Sequence, residues 1–281
     1  MNIETAIKKA YFDLKQNNIK SALLDSEILM SKVLKDNRYN ILLNSQRKLS
    51  NQDYKYFREL VNTRLLNKPI AYLIGKKSFW KYEFVINDKV LIPRPETELI
   101  IEQVSKIYKN KKNINFLEIG VGSGCIILSI LKDRKSFLGT GIDLSGDCIK
   151  ISKKNAIKLK VQNRLKLFKS DVDKFNLGKY DLIISNPPYV KKLDFKKLDK
   201  DVINFEPKLA LDGGLDGLSK IRKIIKKSSE LIKLNGKLII EIAHDQKKMA
   251  NDILRQNGFF VNKVVKDLSE KDRCIISTKS N

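Results

Sequence analysis

The sequence predicts an α/β protein, a mostly parallel sheet with helices on both faces, preceded by a small all-helical domain. Two patterns carry this expectation. From Asn115 onward, short apolar runs alternate with helical stretches. The runs are Phe116-Leu117-Glu118-Ile119, Gly141-Ile142-Asp143, Leu165-Lys166-Leu167-Phe168, Asp181-Leu182-Ile183-Ile184 and Lys237-Leu238-Ile239-Ile240-Glu241. Alternation of this kind builds a parallel sheet covered on both sides. Before residue 70, apolar residues instead recur every three or four positions, as on a helix face. At 281 residues and 42% hydrophobic, the chain can fill a small core and one of ordinary size. The boundaries read from these patterns are 1–75 for the helical domain, 76–93 for a β-hairpin linker and 94–281 for the sheet domain.

The front domain begins with a helix whose buried face is Ile3, Ala6, Ile7, Ala10, Tyr11 and Leu14, followed by a second over Ala22 to Leu34. Ser50-Asn51-Gln52-Asp53 has the form of a capping box, and Tyr54, Phe57, Val61 and Leu65 continue the face of the helix it starts. Lys68-Pro69 is read as the end of this bundle. Nothing in it looks catalytic, so collectively it is a candidate substrate-binding module. Tyr82, Phe84 and Ile86 then suggest a strand, Asn87-Asp88 a turn, and Val90-Leu91-Ile92 the partner strand of a hairpin. In Pro93-Arg94-Pro95-Glu96-Thr97-Glu98, proline and acidic residues stand where a helix starts, ahead of Leu99, Ile100, Val104 and Ile107. Arg94 and Glu98 are expected at the mouth of a cleft between the domains. Phe259 to Val265 and Cys274 to Ser277 read as a closing pair of strands.

Composition excludes several classes. No apolar run approaches the roughly 18 residues that cross a bilayer, and the first residues lack the charged-then-apolar form of a signal peptide, so a soluble, cytoplasmic protein is expected. Cys125, Cys148 and Cys274 are far apart and form no CxxC, and His244 is the only histidine. Neither a disulfide framework nor a metal site is suggested. The net charge of +24 invites a nucleic-acid reading. Lysine is spread along the whole chain instead of forming a stripe, however, a pattern that biased base composition in the coding genome also produces. No stable nucleic-acid partner is expected, and no membrane partner.

Three motifs carry chemistry. Gly120-Val121-Gly122-Ser123-Gly124 lies at the first strand-to-helix turn, where glycine lets a ligand approach backbone amides at a helix N-terminus. A dinucleotide fingerprint would need a third glycine at position 125, which is cysteine. The compact spacing suits a nucleoside ligand without a pyrophosphate, namely S-adenosylmethionine. Asp143, at the end of the second strand, is placed to accept hydrogen bonds from both ribose hydroxyls, and Asp171 and Val172 to flank the adenine. The third motif, Asn186-Pro187-Pro188-Tyr189, follows a buried strand. Its two prolines stiffen it, Asn186 supplies an amide, and Tyr189 supplies a flat face, a set able to hold a planar NH2 group.

The combination of Phe79-Trp80, Leu91 to Glu98, Glu118 to Gly124, Asn186 to Tyr189, Glu206-Pro207 with Ala210-Leu211, and Asp272-Arg273 closely resembles the peptide chain release factor N5-glutamine methyltransferases, over nearly the whole chain. The resemblance implies a Rossmann-like, seven-stranded methyltransferase sheet and S-adenosylmethionine as methyl donor with no metal. It implies as acceptor the glutamine of the Gly-Gly-Gln loop of class-1 release factors. It further implies that Asn186 and the Pro187 carbonyl hold that glutamine's NH2, with Pro188 beside them and Tyr189 on the amide plane, and a monomeric enzyme of translation termination. Two positions depart from the family pattern: Glu118, where aspartate is common, and Val172, where some members have a large aromatic.

The chemistry agrees with the residues. An amide nitrogen is a poor nucleophile because its lone pair is delocalised into the carbonyl. Accepting both of its N–H groups would orient it and favour positive charge developing on nitrogen. No strong base is needed before attack, which accounts for a motif without histidine. Exocyclic amines of adenine and guanine share this deactivation, so an N6-adenine or N2-guanine nucleic-acid methyltransferase is the alternative. The short linkers between motifs leave little room for a target-reading region.

Overall fold

The computed structural model describes residues 1–280. It contains two compact units, one of residues 1–76 with residues 199–205, the other of residues 77–198 with the chain from 206 onward. In the first, α1 (Ile3–Gln16), α2 (Ala22–Leu34), α3 (Arg38–Leu43), α4 (Asn51–Leu65) and α5 (Ile70–Ile74) follow one another. Ile7 and Leu14 of α1 pack with Leu29 and Met30 of α2 and Phe57 and Val61 of α4. The Ser50 hydroxyl caps α4, accepting from the Asp53 amide at 3.0 Å while donating to the Asp53 carboxylate at 2.7 Å. Arg64 pairs with buried Asp25 at 2.7 Å, tying α4 to α2. Losing either partner would leave a charge uncompensated inside the bundle. Two helices go beyond those expected. α3 starts at an Asn37 cap, and α5 starts after Pro69 and ends at Gly75 with φ +78°. Both are too short to show a helical period, and Lys68-Pro69 opens one more turn of helix instead of closing the bundle.

The hairpin keeps the expected strand at Tyr82 but pairs it with a different partner, on its N-terminal side. β1 (Lys76–Phe79) and β2 (Tyr82–Val85) make a two-stranded sheet, with the turn at Trp80 and Lys81. Asn87 does form a turn, accepting from Lys89 N–H at 3.1 Å through its side chain, but Val90-Leu91-Ile92 is not a strand. Tertiary hydrogen bonds decide the register. Glu98 accepts from Trp80 N–H at 2.6 Å, and the Trp80 indole donates to Asp133 at 2.8 Å, holding Trp80 at φ +55°. The side-chain amide of Asn155 then clamps both backbone groups of Val85, at 2.8 and 2.9 Å. Phe79 and Phe84 are buried in the core of the second unit, so this segment packs as part of that unit.

The remainder runs α6 (Glu98–Ile107), β3 (Asn115–Ile119), α7 (Cys125–Asp133), β4 (Leu138–Asp143), α8 (Gly146–Leu159), β5 (Leu165–Lys169), β6 (Tyr180–Ser185), α9 (Lys200–Phe205, in the first unit), α10 (Ser219–Leu231), β7 (Ile232–Glu241), α11 (Lys247–Gln256), β8 (Phe259–Lys266) and β9 (Asp272–Lys279). The seven-stranded sheet has the order β5-β4-β3-β6-β7-β9-β8. Its pairs are parallel from β5 to β7, and β9 runs antiparallel to both β7 and β8. Alternation along the strands sorts the two faces. Phe116, Leu182 and Ile184 join Ile100, Val104, Ile127 and Leu159 in one layer. Leu117, Ile183 and Leu238 join Ile221, Ile225, Ala250 and Leu254 in the other. The strands predicted from Phe116 to Ser277 are all present in this Rossmann-like sheet.

Candidate active site

Sheet register assembles the site. Ile119, the last residue of β3, pairs with Ile142 of β4 on one side and Ser185 of β6 on the other, and Ser185 pairs with Ile240 of β7. The residues at or just after each strand end therefore emerge side by side: Gly120 to Gly124, Asp143, Asn186 to Tyr189, and Glu241. The Ser185 hydroxyl locks this alignment by donating to the Ile119 carbonyl at 2.7 Å. Ser170 N–H donates to the Asp143 carbonyl at 2.9 Å, bringing Asp171 and Val172 to the same edge. This is the carboxyl end of a parallel sheet where the strand order reverses, the usual place for a ligand crevice.

A cavity of about 240 Å³ opens there, slightly below the roughly 300 Å³ at which small-molecule sites begin. Of the residues singled out from sequence, Gly120, Val121, Gly122, Ser123, Asp143, Asp171, Val172, Asn186 and Pro188 line it. Gly120 and Gly122 have φ of +82° and +53°, and a Cβ on either would meet nothing within 4 Å, so both border open space. Asp143 holds the loop in this shape. Its carboxylate accepts from Gly122 N–H at 2.9 Å and from Ser145 N–H at 2.8 Å. Burial raises its pKa above the ordinary value, with the two backbone bonds opposing.

Three of those residues stand behind the wall. Gly124 caps α7 at φ +82°, and a Cβ there would lie 2.8 Å from Leu128 Cδ1, so its smallness serves packing. Pro187 is buried, and Tyr189 lies against the second core layer. The Tyr189 hydroxyl donates to Glu241 Oε1 at 3.2 Å, and its carbonyl accepts from Gln246 at 3.2 Å.

Further residues complete the site. Glu118 is fully buried in the wall, where its Oε2 accepts from Ile127 N–H at 2.8 Å and its Oε1 has no partner. Burial pushes its pKa well above the ordinary value, with the Ile127 N–H bond opposing. Thr97, 2% exposed, accepts a 3.0 Å hydrogen bond from Asn186 Nδ2. Glu241 has its pKa raised by burial to about 7, with the hydroxyls of Thr97 and Tyr189 beside it and Arg273 nearby favouring the charged form. Glu206, 5% exposed, bonds Arg94 and accepts from Ile92 N–H at 3.1 Å, clasping the segment that forms one wall. Arg94 is thus in the cavity wall, whereas Glu98 is spent on the Trp80 turn. Motif reading includes Thr97 and Glu206 among the residues that carry the family resemblance but gives them no role, because their partners lie 89 and 112 positions away.

Comparison with known proteins adds to this geometry. Residues 5–75 match the family described as PrmC N-terminal domain, and residues 95–214 match the methyltransferase small domain. A release factor glutamine methyltransferase of Fusobacterium nucleatum is 37% identical, over 95% of this chain and 76% of its own. One of Caulobacter vibrioides is 32% identical, over 95% and 93% respectively. Among solved structures, a methyltransferase from Pyrococcus furiosus superimposes with a TM-score of 0.55 at 16% identity, covering 78% of this chain and 98% of that one, which bears on the fold alone. Identity of this degree, sustained through the helical unit as well as the sheet, makes the chain a member of the release factor glutamine methyltransferase family.

Proposed function

We propose that this chain transfers the methyl group of S-adenosylmethionine to the side-chain amide nitrogen of a glutamine in peptide chain release factors. In finer form, the acceptor is the glutamine of the Gly-Gly-Gln loop of class-1 factors, and the enzyme acts as a cytoplasmic monomer without a stable nucleic-acid partner. The observation that carries the reading is the meeting of Asn186 with Gly120, Gly122 and Asp143 in one cavity wall, in a chain that matches curated release factor glutamine methyltransferases nearly end to end. Among the described residues no helix is long and apolar enough to cross a membrane.

The wall fits the donor. Gly120 and Gly122 present backbone to open space, and Glu118 holds an unpartnered buried oxygen. The Asp143 oxygens each accept one backbone bond and keep lone pairs for hydroxyl donors. Asp171 and Val172 would border the adenine. Bound there, S-adenosylmethionine supplies an electrophilic methyl on a sulfonium. The protein's own part is orientation: Asn186 Oδ1, in the wall, and the Pro187 carbonyl just behind it would accept the two glutamine N–H groups, and Tyr189, held behind the wall by Glu241, would have to turn its ring forward to pack on the amide plane. Together these direct the nitrogen lone pair and favour the charge that forms on it.

The test is incubation with labelled S-adenosylmethionine and, separately, a release factor, total tRNA, ribosomal RNA and DNA. Label in the release factor, lost when its Gly-Gly-Gln glutamine is replaced, is the expected result. Label in nucleic acid but not in the factor overturns the reading.

A further inference from the structure

We infer that Thr97 is a positioning residue, whose hydroxyl fixes which end of the Asn186 amide faces the acceptor. The inference rests on the proposed reaction and adds to it the group that gives Asn186 its polarity. An asparagine amide is nearly symmetric in shape, and only its hydrogen-bond partners distinguish its oxygen from its nitrogen. Here Nδ2 donates to Thr97 Oγ1 at 3.0 Å. Thr97 is 2% exposed, so water does not compete for that bond. Its hydroxyl has one proton, and because the oxygen accepts from Nδ2 that proton stays free to face buried Glu241, whose charged form the Thr97 hydroxyl favours. With Nδ2 committed inward, Oδ1 is the end left for a substrate donor.

The opposite orientation would require the Thr97 proton to turn to Oδ1 and away from Glu241, whose charged form it favours in a site where burial disfavours that charge. Thr97 belongs to the 3-10 turn Pro95–Thr97 and comes within reach of Asn186 across 89 positions. The rigid Pro93-Arg94-Pro95 stretch, held by Glu206, sets that turn in place. The segment therefore serves the reaction through the orientation of Asn186, without supplying an acid or base.

The experiment compares Thr97→Val, Thr97→Ser and Asn186→Ala, alone and as the double variant Thr97→Val with Asn186→Ala. Thr97→Val keeps the shape and removes the hydroxyl, so kcat for the release factor should fall about tenfold or more while cofactor affinity by calorimetry holds. Thr97→Ser should restore the rate to within about threefold of wild type, since the hydroxyl carries the effect. Because Thr97 acts through Asn186, the valine change should add little in the Asn186→Ala background. Unchanged kcat in Thr97→Val, a serine variant as slow as the valine one, or effects that multiply in the double variant would each overturn the inference. A neutron structure of the wild-type chain tests it without any variant, and Oδ1 turned toward Thr97 would overturn it. Wild type inactive on release factors would instead defeat the reaction assignment, a separate result read in the same assay.

Discussion

The Tyr189 hydroxyl donates to Glu241 Oε1 at 3.2 Å, joining the last residue of the Asn-Pro-Pro-Tyr loop to the last residue of β7. A buried carboxyl thus braces the loop, and its protonation leaves a mark on stability. Burial raises the pKa of Glu241 from 4.5 to about 7. The native state then holds a proton that the unfolded chain releases, so the contribution is complete below about 4.5 and is lost as pH rises through about 7. The rise corresponds to about 3 kcal/mol at roughly 1.36 kcal/mol per unit. Glu241→Gln, which can still accept from Tyr189, should remove this dependence. Urea midpoints measured for both proteins between pH 4.5 and 8 should diverge, the wild type losing stability faster. Parallel curves would show that Glu241 does not hold the proton.

Asn186 separates the roles of hydrogen bonding and shape. Asn186→Asp is nearly isosteric but loses the donor to Thr97 and brings a charge beside a cationic ligand. Asn186→Ala removes both ends of the amide. Each should fold and bind S-adenosylmethionine, while methyl transfer falls by on the order of a hundredfold or more, the scale of removing one preorganised hydrogen-bonding group. Single-turnover rates read this directly, and near-native turnover in either variant would make the loop a rigid turn only.

Asp143 has two tasks, and two variants divide them. Asp143→Ala removes acceptors for Gly122 N–H and Ser145 N–H as well as those proposed for the ribose. Cofactor binding should weaken by about 2 to 4 kcal/mol, and stability by about 1 kcal/mol, because two part-buried amides lose their partners. Asp143→Asn keeps one acceptor oxygen and should recover part of each. Calorimetry and thermal melts distinguish the effects. Full affinity in Asp143→Ala would place the ribose elsewhere.

The sheet was legible because each strand announces itself locally. The run Leu182-Ile183-Ile184, flanked by Asp181 and Ser185, reads as a buried strand in any context. The Gly120 loop, Asp143 and Asn186 were likewise legible as strand-end residues, and parallel register brings such ends together. What sequence could not supply was pairing across the chain. Trp80 turns the hairpin because Glu98 and Asp133 hold it, against the turn chemistry of Asn87-Asp88. Thr97 meets Asn186 and Glu206 meets Arg94 only once the sheet is built. Tyr189, suggested by its type as a stacking face, is bound through its hydroxyl to a carboxylate 52 positions away.

The glycine loop gives the sharpest division between binding and packing. Gly122 and Gly124 both have left-handed φ, so alanine at either costs about 1 to 2 kcal/mol of backbone strain. Their surroundings differ. A Cβ at Gly122 would meet open space in the cavity wall, whereas one at Gly124 would lie 2.8 Å from Leu128 Cδ1 and 3.1 Å from the Ser152 hydroxyl. Overpacking of that kind adds about 1 to 3 kcal/mol, because Leu128 is fully buried and has no room to yield. Gly124→Ala should therefore lose about 2 to 5 kcal/mol of stability, the sum of strain and overpacking, yet bind S-adenosylmethionine nearly as wild type wherever it is folded. Gly122→Ala should lose only the strain, but its methyl would occupy the ligand's approach to the backbone and weaken binding at least tenfold. Denaturation and calorimetry on the two variants should thus rank them in opposite orders. The same ranking in both measurements would mean that the loop acts as a single packed element and that Gly122 has no separate part in binding.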